Sequence, residues 1–116
     1  MLLSDNEIVL VLMAAERQEK AQKEALVNVS KKVAAGDSNP IVVNRHRSLP
    51  GLIKETHLLI LHLNRSHDLA YIDAIGAMRS LGYLANHAPA TISVSTIRGL
   101  INKISLWCQA ELKRRP

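Results

Sequence analysis

The apolar positions of this chain recur at helical intervals. The densest run, Leu52-Ile53-Lys54-Glu55-Thr56-His57-Leu58-Leu59-Ile60-Leu61-His62-Leu63, lies close to mid-chain. At about 100° per residue, Leu52, Ile53, Leu59, Ile60 and Leu63 share roughly one third of a helix circumference and form the expected core face. Leu58 and Leu61 fall on the other side, among Lys54, Glu55 and His62, where a surface helix carries polar residues alone. That second face needs a cover, either another helix of the same chain or a second copy of the protein.

Four helices are predicted, over about residues 4–35, 49–64, 66–86 and 93–114, in one helical domain spanning 1–116. The first has the clearest start signal. Ser4 and Glu7 have capping-box spacing, and Leu3 and Ile8 fit the hydrophobic staple around it. Ile8, Leu12, Ala15, Ala25 or Leu26, Val29 and Val33 continue an apolar stripe, and Gly36 is a natural stop. The middle, Glu16 to Glu24, is mostly polar, with Glu16–Lys20 and Glu19–Lys23 at the supportive i,i+4 spacing. Its ends are therefore expected to pack and its middle to be more solvated. A helix of this length commonly pairs with a partner copy, which makes Leu26, Val29 and Val33, with Leu58, Leu61 and His62, the expected dimer contacts.

Residues 36–50 read as one long connection. Gly36, Asp37, Ser38, Asn39 and Pro40 are turn formers, Ile41-Val42-Val43 suggests an extended segment, and Arg45-His46-Arg47 a basic cluster on a loop. The cluster either holds phosphates or is a solvated turn ahead of the second helix, which starts near Ser48 with Pro50 in its first turn. The third helix carries Leu69, Ile72, Ile75, Met78, Leu81 and Leu84, with Gly76 allowing close approach of a neighbour and Gly82 weakening the last turns. The fourth follows Asn86-His87-Ala88-Pro89-Ala90. Its Val94, Ile97, Ile101, Ile104 and Cys108 alternate at three and four, widened by Leu100 and Trp107.

Composition agrees with an all-α class, a small four-helix bundle-like domain. The chain is 47% apolar with no Phe, and Trp107, Tyr71 and Tyr83 are its aromatic residues. Leu, Ile, Val, Ala and Met suit helix-on-helix packing better than a sandwich core. A single Cys108 excludes an internal disulfide and a cysteine-based zinc site. Met1 to Glu7 carry acids where a signal peptide needs bases, and the Ile8–Ala15 apolar run is too short to span a bilayer, so a cytoplasmic location with no membrane partner is expected.

Net charge is +5, and its distribution matters more than its sum. Residues 1–30 hold five acids against three bases, a net of −2, which leaves +7 for residues 31–116. No acid lies between Asp73 and Glu111, whereas Arg79, Arg98 and Lys103 do, and Lys113, Arg114 and Arg115 follow. Such an excess attracts nucleic acid, an acidic protein or anionic lipid, or simply keeps the chain dispersed. The terminal cations also complement a helix dipole.

Five histidines raise the question of a metal. His57, His62 and His67 are spaced by five, which turns each about 140° from the last on a helix, whereas ligands on one face need i,i+3 or i,i+4. His62, among leucines, reads as an edge-of-core or interface residue. No H-E-x-x-H, G-x-S-x-G, Walker loop or G-x-G-x-x-G occurs, and Glu55, Asp68 and Asp73 have no paired partner. The expectation is a non-enzymatic protein without cofactor, metal or small-molecule substrate.

One local pattern points elsewhere. Leu84-Ala85-Asn86-His87-Ala88 followed by Ile92-Ser93-Val94-Ser95-Thr96-Ile97-Arg98 looks like the turn and recognition helix of a helix-turn-helix. Ser93, Ser95 and Thr96 would then contact phosphates or base edges, and Arg98 and Lys103 the backbone. Pro89 replaces the usual small residue of the turn, Ala90-Thr91 lengthen it, and Ser93 to Thr96 are equally ordinary N-cap choices. Two functions follow: a small regulator or adaptor that homodimerises and meets an acidic protein partner, or a dimeric regulator that binds duplex DNA through residues 83–104. In both, Arg45, Arg47, Arg79, Ser95, Thr96, Arg98 and Lys103 are the candidate contacts.

Overall fold

At the start of the first helix, Glu7 donates its backbone N–H to Ser4 Oγ at 3.2 Å, and Ser4 returns its own to Glu7 Oε1 at 3.0 Å. This capping box opens α1, Asp5–Ala34, in a computed structural model that describes residues 1–114 apart from the Tyr71 side chain. At the far end Asp37 N–H reaches the Lys32 carbonyl and Gly36 N–H that of Val33, both at 3.0 Å. That pair of bonds is a Schellman close. It needs a left-handed residue, which Gly36 supplies at φ 89°.

The second helix begins well before the expected start. α2 runs from Pro40 to Arg65, so residues 40–50, expected to be a connection with an extended Ile41-Val42-Val43, are helical. The cause is a start signal that competes with Pro50. Asn39 Oδ1 accepts the Ile41 N–H at 3.0 Å, and Pro40, whose missing N–H costs nothing in a first turn, follows the cap. Pro50 is thereby left inside the helix, where it cannot bond the carbonyl of His46 and disfavours helix by about 3 kcal/mol. Packing against α1 compensates, with Leu49 and Thr56 buried on either side of it.

After α2 the chain does not continue as one long third helix. Asp68 caps a 3-10 turn, Leu69–Tyr71, and Asp73 caps α3, Ala74–Leu84. Each aspartate accepts a backbone N–H two or three residues on, at 3.0 Å from Ala70 and 3.3 Å from Gly76. These local bonds end the helix that a continuous apolar stripe suggests. A second 3-10 turn, Ala85–His87, closes α3. The last helix, α4, is Val94–Arg114, with Thr96 N–H held by Ser93 Oγ at 3.2 Å. Arg115 lies outside the described residues.

The fold is therefore all-α, a small bundle of four α-helices among the described residues. α1 and α2 form an antiparallel hairpin. A helix of 30 residues is about 45 Å long, and the molecule's longest dimension is 47 Å. Only the near half of the hairpin enters the main core: α1 contributes Ile8, Val11, Ala14 and Ala15, and α2 contributes Leu59, Ile60 and Leu63. These meet Leu81 and Leu84 of α3 and Ile97, Ile104 and Cys108 of α4. The core strip of α1 passes through Val11, with Leu12 only partly buried. On α4 it takes Leu100, whereas Val94 is half-exposed; on α3 Ile75 is likewise turned out. Among the described residues, no helix is long and apolar enough to cross a membrane.

The middle of α1 is solvated along one side, where Glu16, Arg17, Lys20, Lys23 and Glu24 are exposed, but not along the other. Gln18 is fully buried and Gln22 nearly so. They follow Val11 and Ala15 at helical spacing and face α2. Gln18 Nε2 donates to Thr56 Oγ1 at 3.0 Å and to the Ser80 carbonyl at 3.1 Å, joining three helices. Thr56 Oγ1 in turn donates to the Leu52 carbonyl at 2.9 Å.

Two outcomes test these contacts. Thr56→Val keeps the volume but takes an acceptor from a buried amide, and should cost about 1–3 kcal/mol in urea unfolding; a neutral result would remove the junction's role. Glu7 is held below its ordinary carboxylate value first by the Ser4 backbone N–H and then by Lys103. A depressed folded pKa contributes stability above the unfolded value of about 4.3 that is lost as pH falls through the folded one. Glu7→Gln mimics the protonated acid, so melting temperatures of the two proteins should differ at neutral pH and converge in acid. A gap that does not change with pH would contradict this.

Candidate interaction surface

The face of α2 turned away from the core carries Lys54, Leu58, Leu61 and Arg65, one above another at helical spacing. Leu58 is 45% exposed and Leu61 36%. Among the described residues, no helix covers them completely. Beside them lies a groove of about 200 Å³ between α2 and α3. Leu58, Leu59, Ile72 and Ala77 give it apolar walls, and Glu55 and Asp73 add carboxylates. Gly76 forms its floor. A Cβ there would sit 2.9 Å from Oδ2 of Asp73, the cap of its own helix, and 3.5 Å from Glu55 Cγ of α2, so the tight contact at Gly76 is with its own cap and the one with the neighbouring helix is ordinary. Ile75, 52% exposed, sits one turn before Arg79 along the rim.

The charges of the groove are only partly matched. Arg79 Nη1 donates to Glu55 Oε1 at 2.9 Å, while Glu55 Oε2 is buried without a hydrogen-bond partner. His62 lines the same groove and lies 2.8 Å through Nε2 from the Asp68 carbonyl. A carbonyl only accepts, so Nε2 carries the proton and fixes the ring. This is the edge-of-core histidine foreseen from its leucine neighbours. His57 pairs with Glu19 at 2.8 Å and His67 with Asp5 at 3.2 Å, so the three evenly spaced histidines have three separate partners.

The residues expected on α1 divide. Leu26 and Val33 are half-buried, whereas Val29 is only 5% exposed and is enclosed within its own hairpin. Val29 is thus a structural contact and not a surface one. Its neighbour Val27, and Ile41 across the hairpin tip, are the exposed apolar residues there.

The basic candidates also separate. Arg45 and Arg47 project from a helix, not a loop, because α2 starts at Pro40. Arg79 is bound to Glu55, and Lys103 reaches Glu7 Oε2 at 2.9 Å. Among the described residues, Arg45, Arg47 and Arg98 are exposed and have no carboxylate partner. Arg98 and Lys103, five apart on α4, point about 140° away from each other. Ser95 and Thr96 are exposed, but their hydroxyls contact Ser93 Oγ within the cap. Between the 3-10 turn at Ala85–His87 and α4 the chain takes residues 88–93, a longer link than the three or four residues of a helix-turn-helix. Of the seven basic or hydroxyl candidates, Arg98 and Lys103 therefore do not share one face of α4, and Arg79 and Lys103 are engaged in ion pairs.

Reasoning from sequence missed the buried amides of Gln18 and Gln22. Their signal was present: both continue the Val11 and Ala15 positions toward Val29 at three- and four-residue steps. Comparison with protein-family models, with curated proteins and with solved structures gives no match.

Proposed function

We propose that this chain is a small, non-enzymatic helical binding module that acts by protein–protein contact, associating with a second copy of itself through the outer face of α2 and the adjoining groove. One observation carries the reading. α2 buries Leu59, Ile60 and Leu63 on one side and leaves Leu58 and Leu61 exposed on the other, so it offers apolar surface in two directions while its own chain covers one. Leu58, Leu61 and Ile75 supply an apolar centre, and Lys54, Arg65 and Arg79 a polar rim, the usual anatomy of an association surface. The patch is also self-complementary. Its leucines are flanked by the cations Lys54 and Arg65, and its groove holds the carboxylates Glu55 and Asp73. A two-fold axis carries each set to the other.

A second reading rests on Arg45, Arg47 and Arg98, whose guanidinium groups have no acidic partner among the described residues. They suit an acidic protein or duplex DNA. Affinity for random duplex that falls steeply with salt supports the DNA version; no binding at low salt removes it.

Sedimentation tests the dimer. Leu58→Glu/Leu61→Glu places two charges on exposed positions and leaves the core intact, which circular dichroism verifies. The wild-type chain should sediment as a dimer at about 100 µM and the double variant as a monomer, with association weakened at least about tenfold. A wild-type monomer at that concentration, or a variant that dimerises unchanged, refutes the proposal.

A further inference from the structure

The two helices of the hairpin are unequally supported along their length. As far as Gln18 and Thr56 they are held by the main core and by the buried bonds that tie both helices to Ser80 of α3. Beyond that level, residues 25–34 of α1 run against residues 40–49 of α2 as an arm about 15 Å long, at 1.5 Å per residue. Val29 and Leu49 are the buried apolar side chains of this arm, and both lie outside the main cluster. Leu26, Val33, Val42 and Val43 are only partly covered, and Val27 and Ile41 are exposed. Polar contacts add little. The arm's side-chain hydrogen bonds are local to its tip, where Asp37 accepts the Asn39 N–H and Asn39 accepts the Ile41 N–H. Among the described residues, no ion pair or side-chain hydrogen bond crosses from residues 25–34 to residues 40–49.

The helices are also weakened where the arm meets the core. Pro50 has no N–H for the His46 carbonyl, and its ring crowds the turn before it. Gly51 follows, and a methyl group there would meet nothing within 4 Å, so no neighbour braces this turn from that side. Ala25 and Leu49 both line a cavity of about 330 Å³ at the same level, so side chains do not fill the seam beside the weakened turn. Segments with few buried apolar contacts open as cooperative units, at a lower cost than unfolding the whole domain. A helix pair this short has no stability of its own in water, so release of either helix of the arm releases the other.

We infer that residues 25–49 form an arm that opens as one unit at the level of Pro50 and Gly51 while the core around Leu59, Leu63, Leu81 and Ile97 stays folded. The opening hydrates Val29 and Leu49 and leaves in place the turns of α2 that carry Leu58 and Leu61. The hairpin tip is thus a conformational device, ordered or released without dismantling the outer surface of α2. This does not rest on what that surface binds.

Native-state amide hydrogen exchange of the full chain in sub-denaturing urea is the test. Amides of residues 26–33 and 44–49 should share one opening and exchange at least about tenfold faster than those of residues 11–18 and 59–63. Their exchange should also respond less steeply to urea, because a smaller surface is exposed. Ile97→Val removes one methylene from the core and should speed core exchange about two- to tenfold, with no change in the arm, whose own opening leaves Ile97 packed. Pro50→Ala restores a donor to the His46 carbonyl and should slow arm exchange at least about tenfold. Arm amides as slow as core amides, an Ile97→Val variant in which both accelerate together, or Pro50→Ala without effect on the arm overturns the inference.

Discussion

The antiparallel pairing of α1 with α2 is the constraint on which the rest of the structure depends. It sets the length of the molecule, presents Ile8, Val11 and Ala15 beside Leu59, Ile60 and Leu63, and brings Gln18 to Thr56. α3 and α4 then complete a core that exists only around the near half of the pair. Beyond it the two helices have one another and little else: Val29 and Leu49 are their buried apolar residues, and both lie outside the main cluster. Helical pairs without a third layer are marginal in water, so the far half borrows its order from the near one through continuous backbone. Between the two halves lies a cavity of about 330 Å³ bounded by Gln22 and Arg45.

Polar residues play a larger part in this pairing than their solvation cost alone suggests. A leucine at position 18 would bury more apolar area, but the amide of Gln18 ties α1 to Thr56 on α2 and to the Ser80 carbonyl on α3 at once. A sliding shift by one turn would strand that amide, whereas leucines would tolerate it. The network thus ties the register of α1 to α2 and α3 through directional bonds. Gln18 Oε1 has no partner, so the arrangement is kept at some energetic cost.

Much of the fold was legible from local signals, and the errors share one origin. The capping box at Ser4 and Glu7 and the left-handed stop at Gly36 are short-range devices, and both appear as the residue types imply. Asn39-Pro40 was an equally local start signal, but Pro50 offered a second one; burial of the surrounding face against α1 decided between them. Asp68 and Asp73 look in the sequence like lone carboxylates, whereas in the fold each caps a short helix, and the break before α3 comes from them. The outer leucines of α2 were readable because helical spacing alone assigns their face. Val29 was not, since exposed and buried strips on a hairpin differ by one residue's rotation and only the partner helix fixes which is which.

A small part of the sequence's charge asymmetry is met within the fold. Acids of α1 meet bases of the later chain: Glu7 binds Lys103, Glu19 binds His57, and Asp5 lies against His67. Each such surface pair is worth little, about 0–1 kcal/mol, so none of them explains stability. Their consequence is subtraction. Lys103 and Arg79, which look free in the sequence, are engaged, while Lys31, Lys32, Arg45, Arg47, Lys54, Arg65 and Arg98 form no ion pair among the described residues and carry most of the positive field of residues 31–116. Arg45 lies at the cavity, Arg47 two residues further along the same helix, and Arg98 on α4. A broad phosphate-binding face needs several cations on one side, whereas separated guanidinium groups suit separate, small anionic contacts. Arg45 and Arg47 on α2 and Arg98 on α4 stand on different helices, so their charges make one face only where those two helices present them to the same side.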